Sequence, residues 1–314
     1  MGANPQAIAR ESIGMTDPAV SFEPHRRRLL GLAYRMLGSV SEAEDAVQDA
    51  YLRWHAADRD VVSDTRAFLT TTTTRICLDT LKSARARREA YVGPWLPEPV
   101  LDTAALAPDA QTELAEDLSI ALLLALDRLS ALERAAFLLH DVFDCSFSEV
   151  ASALDRNEAA CRQLASRART HVREARPQGA STVGDRSEPS HHQQLVSAFV
   201  NAARSGDLQA LMGLLADDVR LTTDGGGKVP SALNVIEGAD RTARFVVGAV
   251  SKGLPEGSII RIAAINGLPG LIVYRPDGSV QSVAFEIVHN LVRAIYAVSN
   301  PEKLSHLAPP AQHS

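Results

Sequence analysis

Four prolines, Pro94, Pro97, Pro99 and Pro108, fall within the single stretch YVGPWLPEPVLDTAALAPDA. A proline removes a backbone donor and its ring clashes with the preceding turn, so no continuous helix crosses this segment. On both sides of it, apolar residues recur at helical spacing. The prolines therefore divide the N-terminal part into two helical blocks, residues 20–90 and 113–176, joined by an extended linker, 91–112. Within that linker Trp95 and Leu96 are apolar enough to require a docking surface. With 314 residues the chain also has room for a further domain with its own core.

In the first block, RRRLLGLAYRMLG places Leu29, Leu32, Ala33 and Met36 on one face and stops at Gly38, a good cap residue. SEAE, Ser41 to Glu44, has the capping-box pattern and opens a second helix. Its apolar face is Ala43, Ala46, Val47, Ala50, Tyr51 and Trp54, and its other face carries Glu42, Asp45, Asp49 and Arg53. A third helix is expected from Thr65 to about Arg88. It contains the run Thr70 to Thr74, five β-branched residues that only tertiary packing would keep helical.

The second block has two more capping boxes, SALE at Ser130 to Glu133 and SFSE at Ser146 to Glu149, and Asn157 suits the N-cap of its last helix. The short turn Asp155 to Asn157 between the final two helices has helix-turn-helix spacing. In the last helix Ala160, Leu164, Ala168 and Val172 should face the core. Ala159, Arg162, Gln163, Ser166, Arg167, Arg169 and Arg173 then lie opposite. On spacing alone such a face suits either solvent or the edges and phosphates of a major groove.

The net charge of -6 argues against general nucleic-acid affinity, yet two local windows run the other way. Residues 66–90 and 156–176 each hold six Lys or Arg against two acids, 6 − 2 = +4. Two basic helices on separate blocks could hold two separated segments of one duplex. Three widely spaced cysteines suggest neither a disulfide framework nor a zinc site, so no metal is expected. With no apolar leader and no run of roughly 18 apolar residues, a cytoplasmic protein without membrane contact is expected.

After a low-complexity hinge, 177–190, the texture changes. Helices at 192–203 and 208–215 lead into strand-like VRLTT, a glycine turn, a helix near 241–251 and four apolar strands beginning at Ile259, Leu271, Ser282 and Leu291. Asp277-Gly278 and His289-Asn290 read as turns. The order suggests an α+β domain, 191–308, with helices on a curved antiparallel sheet. Its turn LTTDGGGKVP is no Walker phosphate loop, because Thr222 and Val229 stand where Gly and Ser or Thr are needed. Asp224, Asp240, Glu286 and His289 are the acid-base candidates, but their spacing marks no dyad.

DAVQDAYLRWH, Asp45 to His55, with TRAFLTTTTTRICLDTLKSARARR, Thr65 to Arg88, resembles region 2 of bacterial extracytoplasmic-function sigma factors. LSALERAAFLLHDVFDCSFSEVASALDRNEAACRQLASRAR, Leu129 to Arg169, resembles their region 4. The order of elements beyond the hinge is similar to SnoaL-like domains of the NTF2-like superfamily. The resemblance implies two all-α helical domains, sigma region 2 and the helix-turn-helix of region 4, followed by an α+β cone with a pocket between helices and sheet. It implies core RNA polymerase, through its β′ clamp helices and β flap, and promoter DNA as partners, with no cofactor and no catalytic residue.

By the same resemblance Asp45, Gln48, Asp49, Arg53 and Trp54 would dock on the clamp helices. The loop Asp58 to Asp64 with Arg75, Asp79, Lys82 and Arg85 would meet the minus-ten element, where a base is flipped from the duplex. Arg162, Gln163, Ser166, Arg167 and Arg169 would read the minus-thirty-five element. WLPEP (Trp95, Leu96, Pro97, Glu98), DGGGK (Asp224, Gly225, Gly226, Gly227, Lys228) and NPEKL (Asn300, Pro301, Glu302, Lys303, Leu304) together resemble the signature of the ECF41 group, whose extension acts as a fused regulator. These three motifs are expected to meet, with Lys228 paired to Glu98. The alternative is a DNA-binding regulator fused to a SnoaL-like enzyme or to a domain that senses a small-molecule ligand in its pocket.

Overall fold

The computed structural model describes residues 17–89, 91–101, 118–175 and 189–307. The first block is α1, Pro18–Leu37, α2, Val40–Ala56, and α3, Thr65–Glu89. Gly38 ends α1 at a left-handed φ of 71°, with its N–H on the Tyr34 carbonyl. α2 starts earlier than the sequence pattern indicates. Its N-cap is Ser39, whose Oγ accepts from the Glu42 N–H at 3.1 Å, and not Ser41. The threonine run is helical: Thr73 and Thr74 are fully buried, and Thr74 Oγ1 donates to the Thr70 carbonyl at 2.8 Å. That back-bond satisfies a hydroxyl which packing has removed from water.

The second block is α4, Ile120–Asp127, α5, Ala131–Phe137, which widens into a π turn over Leu138–Val142, then α6, Phe147–Leu154, and α7, Glu158–Ala175. Both capping boxes close as their sequences require, and Asn157 Oδ1 accepts from the Ala160 N–H at 2.8 Å. The buried stripe of α7 is Cys161, Ala165, Ala168 and Val172, a slight rotation from the expected one that leaves Ala160 and Leu164 half-buried at its margin.

The two blocks share one apolar core. At their boundary the guanidinium groups of Arg28 and Arg35, from α1, lie 5.1 and 5.6 Å from the Phe143 ring. From the other side Arg134 donates to the Met36 carbonyl at 2.5 Å and pairs with Asp127 at 3.1 Å. Burial pulls the Arg134 guanidinium down to about 10, still charged near neutrality.

The third domain opens with α8, Pro189–Ser205, and α9, Leu208–Leu214. Then come β1, Leu215–Asp224, β2, Ile236–Glu237, and α10, Ala239–Gly253. The remaining strands are β3, Ile259–Ile265, β4, Leu268–Tyr274, β5, Val280–Val288, and β6, Leu291–Val298. They form one sheet in the order β2-β1-β6-β5-β4-β3. The expected all-antiparallel sheet is corrected at one seam, where β1 runs parallel to β6, which makes the sheet mixed.

Leu271, Val273, Phe285 and Ile295 face a core shared with α8 to α10. Ile272, Tyr274, Ala284 and Tyr296 face the opposite side, where Leu96 of the linker and Ile120 of α4 cover them. Burial on both faces explains why β4 reads as a continuous apolar run and not as an alternation.

Glu286 points to that second face at 6% exposure and accepts from the Tyr296 hydroxyl at 3.1 Å. Burial pushes its carboxyl above the ordinary carboxylate range. The unfolded chain ionises this group from about pH 4.3, whereas the fold resists doing so, so stability is lost as pH rises through the raised value. Glu286→Gln should therefore lose less melting temperature than the parent as pH rises above about 4.3. Thermal unfolding followed by circular dichroism measures it, and equal losses in both proteins would contradict the assignment.

Candidate functional site

Residues 91–101 run extended between the three domains, and their strongest anchor is the last residue of β1. Asp224 is 1% exposed. Its Oδ2 accepts from the Leu96 N–H at 2.8 Å and from Lys303 Nζ at 2.7 Å, and its Oδ1 accepts from the Tyr91 hydroxyl at 2.5 Å. Lys303 also donates to the Leu96 carbonyl at 2.5 Å and lies 4.4 Å from the Trp95 ring and 4.9 Å from the Tyr91 ring. A buried carboxylate and a buried ammonium thus neutralise each other between aromatic faces, with the extra hydrogen bonds a desolvated pair needs. Burial, reinforced by the adjoining Asp224 carboxylate, pushes the Tyr91 hydroxyl up, so it stays protonated and donates.

The glycine turn owes its composition to this contact. A Cβ on Gly225 would lie 2.1 Å from the Val229 carbonyl, and one on Gly226 only 2.3 Å from Asn300 Nδ2. Gly226 and Gly227 have φ of 61° and 72°, and Gly227 packs beside Val92. No other residue combines that backbone with that clearance. Asn300 bonds Tyr91 through Nδ2 at 2.9 Å and caps the turn Pro301–Lys303 through Oδ1, while Leu304 is buried. The three motifs do meet, but the expected pair is corrected: Lys228 bonds Glu302, at the exposed edge of the turn, and not Glu98.

Glu98 instead caps α2. Its carboxylate accepts from the Val40 N–H at 2.7 Å and the Ser41 N–H at 3.3 Å, and from the Ser39 and Ser41 hydroxyls at 2.8 and 3.2 Å. A negative charge on the first-turn donors suits the helix dipole. Trp95 lies against Gly38, where an added Cβ would meet its ring at 2.5 Å. Leu96 and Pro97 are buried.

Three partners were missed by sequence reasoning: Tyr91, Tyr34 and Asn266. Tyr34 donates to the Glu98 carbonyl at 2.8 Å and accepts from Asn266 Nδ2 at 2.8 Å. Asn266 further bonds Val100 N–H at 3.0 Å and the Leu118 carbonyl at 3.2 Å, tying first block, linker and second block to the sheet. The Asn266-Gly267 dipeptide, with both φ positive, was the available signal for its hairpin turn.

On the outer face of α2, Asp45, Gln48, Asp49 and Arg53 are exposed, with Leu52 among them at 56% exposure. Trp54 is corrected out of this surface. It is 2% exposed, its indole N–H donates to Pro18 O and Ser21 Oγ, and its ring lies 5.5 Å from Phe68. Arg75 is committed to the second block: Nε donates to the Ala153 carbonyl at 3.2 Å and Nη2 to that of Ser152 at 2.9 Å, at the C-terminal end of α6. Asp79 and Lys82 form an exposed pair at 2.8 Å, which holds the Asp79 carboxyl low. The Arg85 side chain lies outside the described residues. Arg162, Gln163, Ser166, Arg167 and Arg169 are all exposed on α7. Arg162 pairs with Glu158 at 2.5 Å, and Arg169 with Asp141 at 2.6 Å.

A cavity of about 940 Å³ opens between one face of the sheet and helices α8 and α10. None of the four acid-base candidates lines it. Asp224 is in the clasp, Asp240 pairs with Arg244 on the surface of α10, Glu286 faces the opposite side and His289 is exposed at a hairpin. Among the described residues no acidic, histidine or cysteine cluster could hold a metal, and no helix is long and apolar enough to cross a membrane.

Residues 22–87 match the family model of Sigma-70 region 2, and residues 119–172 that of Sigma-70, region 4. The protein described as ECF RNA polymerase sigma factor SigJ of Mycobacterium tuberculosis is 40% identical over 294 residues, spanning 90% of this chain and 92% of that protein. The probable ECF RNA polymerase sigma factor SigI of the same organism is 29% identical over 93% of this chain and 96% of its own length. The crystal structure of Mycobacterium tuberculosis SigJ superposes with a TM-score of 0.69 at 36% identity, over 91% of this chain and 98% of that one.

Asp224→Ala would strand the Lys303 charge in a buried site, at a cost of about 3–5 kcal/mol. Adding Lys303→Met should recover a large part of that loss. Denaturant unfolding of the full chain and the two single and one double variants closes the cycle, and additive losses would contradict the coupling.

Proposed function

The chain belongs to the extracytoplasmic-function RNA polymerase sigma factors, and from that membership we propose that it directs core RNA polymerase to promoters under the control of its own C-terminal SnoaL-like domain. That domain holds regions 2 and 4 together through the linker until both engage their targets. The observation that carries this reading is Arg75, a residue expected at the minus-ten element, bonded instead to the carbonyls of Ser152 and Ala153 in region 4.

Elements named minus ten and minus thirty-five lie about 25 base pairs apart, roughly 85 Å of duplex at about 3.4 Å per pair. Helix α3 has 25 residues and spans only about 37 Å. Regions that touch through Arg75 cannot also occupy both elements, so binding requires them to separate. The clasp at Asp224, Lys303, Trp95 and Glu98 opposes that separation, because the linker must release region 2 at Gly38 and Ser39 as the regions part.

In the open form Arg75, Asp79, Lys82 and Arg85 reach the minus-ten element. Arg162, Gln163, Ser166, Arg167 and Arg169 read the minus-thirty-five element from a major groove. Asp45, Gln48, Asp49 and Arg53, with exposed Leu52 as their apolar centre, dock on the β′ clamp helices, and region 4 meets the β flap. The cavity is a small-molecule site and not a catalytic one, a reading supported by the four acid-base candidates lying off its wall.

Two experiments test this. With dyes on α2 and α7, Trp95→Ala should lengthen the distance between regions 2 and 4. At limiting sigma factor it should raise promoter-specific transcripts from purified core polymerase severalfold; an unchanged distance and output would sink the clasp as a control element. Leu52→Asp should weaken binding to core about tenfold while leaving the melting temperature unchanged, since the side chain is exposed. Full core affinity in that variant would remove α2 from the docking surface.

A further inference from the structure

The interior wall of the 940 Å³ cavity is apolar, with Phe199, Leu221, Val273, Phe285 and Ile295 at its base. Its mouth is cationic. Arg204, Arg244, Lys252 and Arg275 border it against a single acid, Asp277. Arg244 is held by Asp240, but Arg204 and Lys252 have no ion-pair partner among the described residues. Arg275 is fixed in place: Nε donates to the Gly253 carbonyl at 2.7 Å and Nη2 to Gln281 Oε1 at 2.8 Å, which leaves Nη1 for another acceptor.

We propose that this cavity binds an amphipathic anion, an apolar body in the cone with a carboxylate or similar head at Arg275 and Lys252, and that occupancy is felt by the linker clasp. An apolar chamber of this size buries most of a ligand of lipid dimensions, and a few placed polar groups at the opening set its orientation. The inference rests on the reading of the cavity as a ligand site and adds the chemical class and the route of coupling.

The route runs through adjacent residues with opposite duties. Thr223 lines the cavity and Asp224 holds the linker; Ser299 lines the cavity and Asn300 holds Tyr91 and the glycine turn. Gln281 donates to Ser299 and accepts from Arg275, so Arg275 at the mouth is two hydrogen bonds from Ser299, beside the strand end that carries the clasp. The Ser299 and Asn300 N–H groups both donate to the Asp224 carbonyl, at 2.7 and 3.1 Å, which joins the two strand ends.

Oleate, oleyl alcohol and oleylamine share one tail and differ only in head group. Titrated into the full chain by calorimetry, oleate should bind one to one and at least about tenfold more tightly than either of the others. Arg204→Glu with Lys252→Glu should lower oleate affinity about tenfold and leave the alcohol unchanged, and Ala297→Phe, which fills the cavity, should weaken all three. The chain has two tryptophans, and Trp54 is in the region 2 core, so Trp54→Phe makes emission report Trp95 alone. Oleate should shift that emission in the Trp54→Phe chain. No saturable binding of any probe would overturn the cavity as a ligand site. Binding of the amine or alcohol as tight as that of oleate would overturn the anion class alone. Tight oleate binding with unmoved Trp95 emission would overturn the coupling.

Discussion

The arrangement of the whole chain depends on one ion pair buried where three domains meet. Asp224 and Lys303 both belong to the C-terminal domain, yet both side chains also bond the linker, through Leu96 and Tyr91. A desolvated pair tolerates no half-measures, because every lone pair and proton left unmatched costs the full desolvation penalty. The linker therefore completes the site or the site is strained. Once it is seated, Trp95 and Glu98 are placed on Gly38 and on the first turn of α2, and region 2 is fixed relative to the sheet.

The contact between regions 2 and 4 has a different character. It joins one apolar core, but its boundary is made by arginines on backbone carbonyls: Arg75 on Ser152 and Ala153, Arg134 on Met36, Arg28 on Phe143. Bonds of this kind exchange for water or phosphate without leaving a bare charge in hydrocarbon, whereas separating a purely aliphatic seam exposes surface that nothing replaces. Opening would exchange these polar bonds at little cost, while the apolar core that the two regions share and the buried clasp both oppose it.

Much of this was legible in the residues. Capping boxes, the Asn157 cap, the stop at Gly38 and the linker all follow from local chemistry, and the structure keeps them. What failed did so where a partner far along the chain decides. The start of α2 is set by Glu98, 59 residues from Ser39. Trp54 lies on the core side of its helix, as its spacing with Ala43, Ala46, Val47 and Ala50 indicates; only the family resemblance put it on the docking surface, and Pro18 and Ser21 supply the acceptors its N–H needs. The parallel β1–β6 seam is a crossover that no short window records, and Lys228 meets Glu302 because the glycine turn lies against the turn Pro301–Lys303, where both side chains are exposed. The three glycines were visible as a close approach; what approaches them, Val92 and Asn300, required the fold.

The same cations appear on both sides of the proposed equilibrium, and this shapes how it responds to its surroundings. Arg75 and Arg169 are engaged within the protein, to region 4 carbonyls and to Asp141, and each is also expected on nucleic acid. A phosphate backbone offers such groups stronger, charge-assisted acceptors than a carbonyl does. At Arg75 DNA would therefore compete directly for a contact that keeps the regions together, whereas the Arg169–Asp141 pair lies within region 4; neither exchange contributes toward releasing Asp224 and Lys303, which no duplex replaces. In the proposed equilibrium, parting the regions would therefore need both contributions, one from promoter and polymerase at the seam between the regions, the other from whatever moves the ends of β1 and β6.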